Sequence, residues 1–184
     1  HRQGFELGLH LHPQWYNGRF EGGRWLLDPG EYNLCALPPE RIAAILDRSI
    51  AYLQGVLGAA EFVPFAFRAG NWLFQPARAA ADVLALRGIR VDSSVFKGGL
   101  RHEHGLDYRR APRNGYYWKF RDDATAPNMS GRLIEVPIYT QRVPFWRMVN
   151  AKRIDMERKG SSGQTGRQRW NRLRDLLRFR HPLK

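Results

Sequence analysis

The chain is poor in sulfur and in acid. Cys35 is its one cysteine, so no internal disulfide can form, and zinc ribbons or other multi-cysteine frameworks are excluded. Asp and Glu number 17 against 30 Lys and Arg, leaving a formal charge of +13. No run approaches 18 uninterrupted apolar residues, and no charged-then-apolar leader opens the sequence, so the expectation is a soluble protein, cytoplasmic or peripheral to a membrane. Also lacking are a dinucleotide fingerprint, a P-loop, a Cys-His nucleophile pair and a serine nucleophile elbow; the pairs Gly22-Gly23 and Gly98-Gly99 match no phosphate-binding pattern.

What is present suffices for a core. With 184 residues, 43% of them apolar and 12% aromatic, the chain has the size and composition of one ordinary folded domain. The excess charge is uneven: residues 151–184 hold eleven Lys or Arg against three acids, a net of +8. Such a tail attracts phosphate-rich surfaces by counterion release. No nucleic-acid-binding signature accompanies it, so contact with an anionic membrane surface or lipid-linked sugar is expected ahead of nucleic acid.

Hydrophobic patterning alternates strand and helix. Residues 5–12 read as a short buried strand, and 16–37 as a Gly, Trp and Asp-Pro-Gly loop. A helix runs from Pro38, with Ile42, Ile45, Leu46, Ser49, Ile50, Leu53, Val56 and Leu57 at helical spacing, to Gly58. "FVPFAF" (62–67) predicts a second strand, "QPARAAADVLALRG" a second helix, and "IRVD" a third strand. A Gly-rich aromatic loop spans 97 to about 131, and a fourth strand falls within 133–138. This order predicts an α/β fold with a parallel sheet. Two regions are expected: 1–150, and a basic linker with a short amphipathic helix (Trp170, Leu173, Leu177) over 151–184.

The chemistry-bearing residues concentrate at predicted strand ends. In "ELGLHLHPQW", His10 and His12 are two apart, so on a strand they face the same way. They could serve as two ligands of a divalent metal such as zinc, or as one core and one loop histidine; a catalytic zinc needs about three protein ligands. His102 and His104 repeat the spacing and by spacing alone make an equal ligand pair, but their Gly-rich loop setting points to solvent exposure or contact with substrate. Arg68 in "FRAGNW" and Asp92 in "RVDSS" close neighbouring strands and are expected to meet at one sheet edge, catalytically or as a salt bridge. Trp15, Trp72 and Trp118 lie in or beside loops, available for sugar stacking or for the core.

Taken together, "FELGLHLHPQW", "FRAGNW" and "GIRVDSSVF" resemble the polysaccharide deacetylases of the NodB-homology group, carbohydrate esterase family four, and within it a bacterial subgroup associated with lipopolysaccharide and surface-polysaccharide biosynthesis. The likeness runs from about Gly4 to Ile138. It implies a distorted (β/α) barrel, here partial and lacking its first strand, and hydrolysis of an N-acetyl group on a glycan or glycolipid precursor. It also implies a divalent metal held by one Asp and two His. His10 and His12 match the histidine motif, Arg68 the arginine motif and Asp92 the following aspartate. Trp15, Trp72, His102 and His104 would contact substrate.

Three departures stand out. Many relatives space the metal histidines four apart, and four after His10 stands Gln14. No residue matches the family's paired-aspartate motif, which belongs to a strand expected before His1. The late histidine is missing; "LIEVPIYTQ" offers Glu135 and Tyr139 in its place, and His102 or His104 is the other candidate substitute. The alternative expectation is therefore a non-catalytic carbohydrate-binding relative.

Overall fold

The computed structural model describes residues 4–141. The boundary expected at residue 150, the basic linker and the helix carrying Trp170 lie outside the described residues. The chain divides into a unit ending at Ile138 and another beginning at Tyr139. All elements described below belong to the first.

Nine short strands are described: β1 (Leu9–Leu11), β2 (Arg19–Glu21), β3 (Arg24–Leu26), β4 (Ala66–Ala69), β5 (Val91–Asp92), β6 (Leu100–Arg101), β7 (Leu106–Asp107), β8 (Trp118–Phe120) and β9 (Leu133–Glu135). Two α-helices join them, α1 (Pro39–Leu57) and α2 (Arg78–Leu86). The main sheet has the order β1-β4-β5-β9-β8, with the first four strands parallel and β8 antiparallel to β9. The fold is thus α/β, with a mixed sheet. Among the described residues this sheet is open, with β1 and β8 at its edges.

Helix α1 forms where the periodicity predicts it. Pro39 occupies its first turn, and Ile42, Ile45, Leu46, Ser49 and Ile50 make its buried stripe. Helix α2 buries Ala80, Ala81, Val83, Leu84 and Ala85, small enough for close packing on α1. Arg87 fastens the two helices through a bidentate bond to Asp47, at 2.5 and 2.8 Å. One continuous core joins both helices to one face of the sheet, through Leu9, Leu11, Phe67, Ala69, Phe120 and Leu133.

The structure corrects several sequence expectations. The strand expected at 62–67 pairs only from Ala66 to Ala69, after Pro64, whose missing N–H suits it to a strand approach rather than a central ladder. Within the expected loop 16–37, β2 and β3 form an antiparallel hairpin, and Gly22 and Gly23 at its tip both have positive φ. The loop over 97–131 contains the β6–β7 ribbon and β8.

Candidate functional site

Alternation along β1 decides what each residue does. Leu9 and Leu11 enter the core and His10 between them is exposed. In the parallel pairing of β1 with β4, His10 stands opposite Arg68, so both side chains leave the same face. His12 follows at the end of β1, and the two imidazole rings lie 4.9 Å apart in an edge-on arrangement. Gln14 is buried, so the imidazole beside His10 comes from position 12 and not 14.

Both rings are held from behind. The Nδ1 atom of His10 lies 3.0 Å from the Arg68 carbonyl oxygen. A carbonyl can only accept, so Nδ1 donates, and in the neutral ring this leaves the Nε2 lone pair free, the tautomer a metal-ligating imidazole needs. His12 packs on the turn after β4: a Cβ at Gly70 would come within 2.6 Å of the Leu11 carbonyl oxygen and 2.8 Å of the His12 ring, so only glycine allows this approach. Asn71 reaches the His12 Nδ1 at 3.5 Å. Burial, and then the charge of His10, hold the His12 imidazole below the usual histidine range and favour its neutral form.

The turn itself is strained. Asn71 and Trp72 have φ of 56° and 60°, two consecutive non-glycine residues in the left-handed region, a conformation that persists only where its surroundings impose it. Here the clamp is Tyr108, wholly buried, whose hydroxyl donates to the Trp72 carbonyl at 2.6 Å and accepts from the Phe74 N–H at 3.0 Å. Sequence reasoning missed Tyr108 and Asn71; the "GNW" following a strand was the available signal.

Arg68 and Asp92 do not meet. Asp92 is registered with Phe67 and therefore enters the core, whereas the exposed Arg68 bonds the Ser93 carbonyl oxygen at 2.9 Å and its hydroxyl at 3.0 Å. The partners of Asp92 are Ser94, whose hydroxyl donates at 2.7 Å, and Glu135, its register partner on β9. Asp92 and Glu135 both have 0% exposure. Glu135 Oε1 accepts from the Val95 N–H at 3.1 Å, and Oε2 meets no other donor. Burial first, and then the charge of Asp92, push the Glu135 carboxyl well above its usual range, so it keeps its proton and donates it to Asp92. Glu135, offered in place of the late histidine, is sealed in the core and cannot touch a substrate in this conformation. Tyr139 is exposed.

The remaining candidates scatter. His102 and His104 sit in a 3-10 turn between β6 and β7, with His104 stacked on Tyr32 at 5.0 Å. Trp72 is half-buried, with the Arg101 guanidinium 5.5 Å over its ring and Phe96 edge-on to it. Trp118 is a core residue whose indole donates to the Ala124 carbonyl. Trp15 is exposed. Among the described residues no three His, Cys, Asp or Glu converge as a metal cage. The chain was compared with protein-family models, curated proteins and solved structures, and matches none of them.

Proposed function

We propose that the chain is part of a metal-dependent deacetylase, hydrolysing N-acetyl groups on a polysaccharide or glycolipid precursor, with its sheet forming part of the family's distorted barrel. The observation that carries this reading is the placement of the His10 and His12 rings, 4.9 Å apart on the face that also presents Arg68. The donor set fits two ligand positions of a zinc-type ion: a fixed tautomer at His10, a neutral-favouring imidazole at His12, and a glycine cradle behind it. A carboxylate ligand would have to come from beyond the described residues.

When bound, such a metal polarises the amide carbonyl and lowers the pKa of a bound water. This chain's residues would do the rest. The Arg68 carbonyl orients His10. Its guanidinium, steadied on Ser93, faces the same side with a charge available to a developing oxyanion. The buried Asp92–Glu135 pair stiffens the β5–β9 join beneath.

Acetate release from N-acetylhexosamine glycans, measured on the full-length natural protein with and without chelator, tests the reading. Chelator-sensitive release is expected, and chelator-insensitive release rejects the metal role. The present chain should bind zinc weakly by calorimetry, and His10→Ala should abolish that binding. The burial of Glu135, which stands where a general acid is expected, favours a second reading, a non-catalytic glycan binder. Glycan affinity unchanged by chelator, without acetate release, would decide for it.

A further inference from the structure

The hairpin β2–β3 carries the most concentrated exposed apolar surface that the sheet and its metal-ligand candidates do not explain. Phe20 and Trp25 are cross-strand partners on one of its faces, and Trp15 packs edge-on against Trp25; their ring centroids lie 5.5 and 5.9 Å apart. They are 61%, 57% and 50% exposed respectively. Contiguous aromatic surface of this kind is uncommon in water and marks an interaction site. The opposite face of the hairpin bears Arg19, Glu21 and Arg24. No partner for either indole N–H occurs among the described residues.

We propose that this hairpin, with Trp15, is an interfacial anchor that seats the protein on a phospholipid bilayer surface. Indole rings with a free N–H suit the headgroup boundary, where the ring meets acyl chains and the N–H meets water or ester oxygens. Arg19 and Arg24, on the hairpin's other face, have side chains long enough to bend toward phosphates at the headgroup level, and residues 1–150 carry a formal +5 of the chain's +13, a sign that suits an anionic surface. A sugar is the weaker fit. A pyranose stacks on a flat open ring face, whereas these rings are inclined to one another by 64° and 61° and share no plane. The hairpin is exposed along both strands, leaving it free to dip into an interface. Its location has a consequence for function: the Trp15 backbone N–H bonds the His12 carbonyl, so the anchor begins one turn beyond the imidazole pair. Docking would thereby bring the candidate site to the membrane surface, independently of which reaction that site performs.

The test uses the whole chain and vesicles of phosphatidylcholine, with and without phosphatidylglycerol, some carrying brominated acyl chains that quench indoles. The wild type should co-sediment and lose tryptophan emission to the bromolipid. Phe20→Ser/Trp25→Ser should weaken partitioning about tenfold or more on both vesicle types; its circular dichroism should stay unchanged, since both positions are exposed. Trp15→Phe/Trp25→Phe should still co-sediment but lose most of the quenching, leaving at most a remainder from the other four tryptophans. Unchanged partitioning of the serine variant, or attachment without quenching, overturns the proposal in favour of simple charge attraction. An emission change with N-acetylated oligosaccharide but none with vesicles overturns it in favour of a sugar platform. A dimer that the serine variant dissociates, with no vesicle binding, overturns it in favour of a second copy of the chain.

Discussion

Arg68 on β4 and Asp92 on β5 lie one residue out of register, because Asp92 pairs with Phe67. That single step sends the guanidinium to the open face with His10 and the carboxyl to the core with Glu135. On the open face the ionisable groups stay hydrated and leave their reactive atoms free. On the buried face charge is costly and is reduced by sharing a proton. The two faces of one sheet thus divide the sequence's chemistry-bearing residues between a candidate site and the support beneath it.

The sharpest way to break this contrast is to empty the buried side. Glu135→Ala leaves the buried Asp92 with its Ser94 donors only and the Val95 N–H without an acceptor, at a cost of about 3 kcal/mol. Glu135→Gln keeps an N–H toward Asp92 and an oxygen for the Val95 N–H, and should retain most of the stability. Their pH dependence should also differ. A carboxyl whose folded-state pKa is raised stabilises the fold at low pH, and that contribution is lost as pH rises from the ordinary carboxyl range up through the folded value. Urea unfolding across pH should show this decline in the wild type and little of it in Glu135→Gln. A similar slope in both proteins would mean that Glu135 is not the group holding the proton.

Next in size is the clamp between the faces. Tyr108→Phe removes the hydroxyl shared by the Trp72 carbonyl and the Phe74 N–H and leaves them only their direct bond to each other at 3.1 Å, costing about 1 kcal/mol. It should also relax the positive-φ turn and loosen Asn71 and Gly70 around His12. Denaturant midpoints measure the first effect, and displaced His12 resonances measure the second. Full stability with an undisturbed His12 would show that the hydroxyl does not hold the turn.

The elements with a strong period were readable from sequence. Helix α1 begins and ends where its prolines, its Ile and Leu stripe and Gly58 place it. The shared direction of His10 and His12 followed from strand parity alone. The hairpin was missed inside a run read as loop, although Gly22-Gly23 between "RFE" and "RWL" is a tight-turn signal. Strand β8, three residues long and antiparallel, carried too little pattern to announce itself. The pairing of Arg68 with Asp92 failed for a different reason: opposite charges at adjacent strand ends suggest a bond, but register sets the face, and register depends on tertiary contacts absent from any single strand. The same applies to the Asp92–Glu135 pair, formed by residues 43 positions apart in the sequence.

A smaller effect separates the two imidazoles. His12 is held below the usual histidine range by burial and by His10, so protonating it opposes the folded state. Its contribution to stability is present at neutral pH and is lost as pH falls through the unfolded value near 6.5, until the folded form also takes up the proton. Imidazole NMR should place its midpoint below 6.5, and zinc affinity should fall with it, because only the neutral ring ligates. A His12 midpoint at or above 6.5 would remove the ring from its half-buried contact with Gly70.

The smallest expected change in stability comes from the open face itself. Arg68→Ala deletes a side chain whose hydrogen bonds go to Ser93 alone, on an exposed surface, so unfolding should shift by no more than about 0.5 kcal/mol. The Arg68 carbonyl that orients His10 belongs to the backbone and survives the substitution, so zinc binding should also be unchanged. The same variant in the full-length protein should lower acetate release by about a hundredfold or more, the scale of removing one fixed donor from a developing oxyanion. Arg68→Lys restores charge without the planar fork on Ser93 and should recover only part of that loss. Metal binding and stability intact with turnover reduced would locate the guanidinium in the reaction, whereas a parallel loss of zinc affinity would show it to be part of the imidazole scaffold.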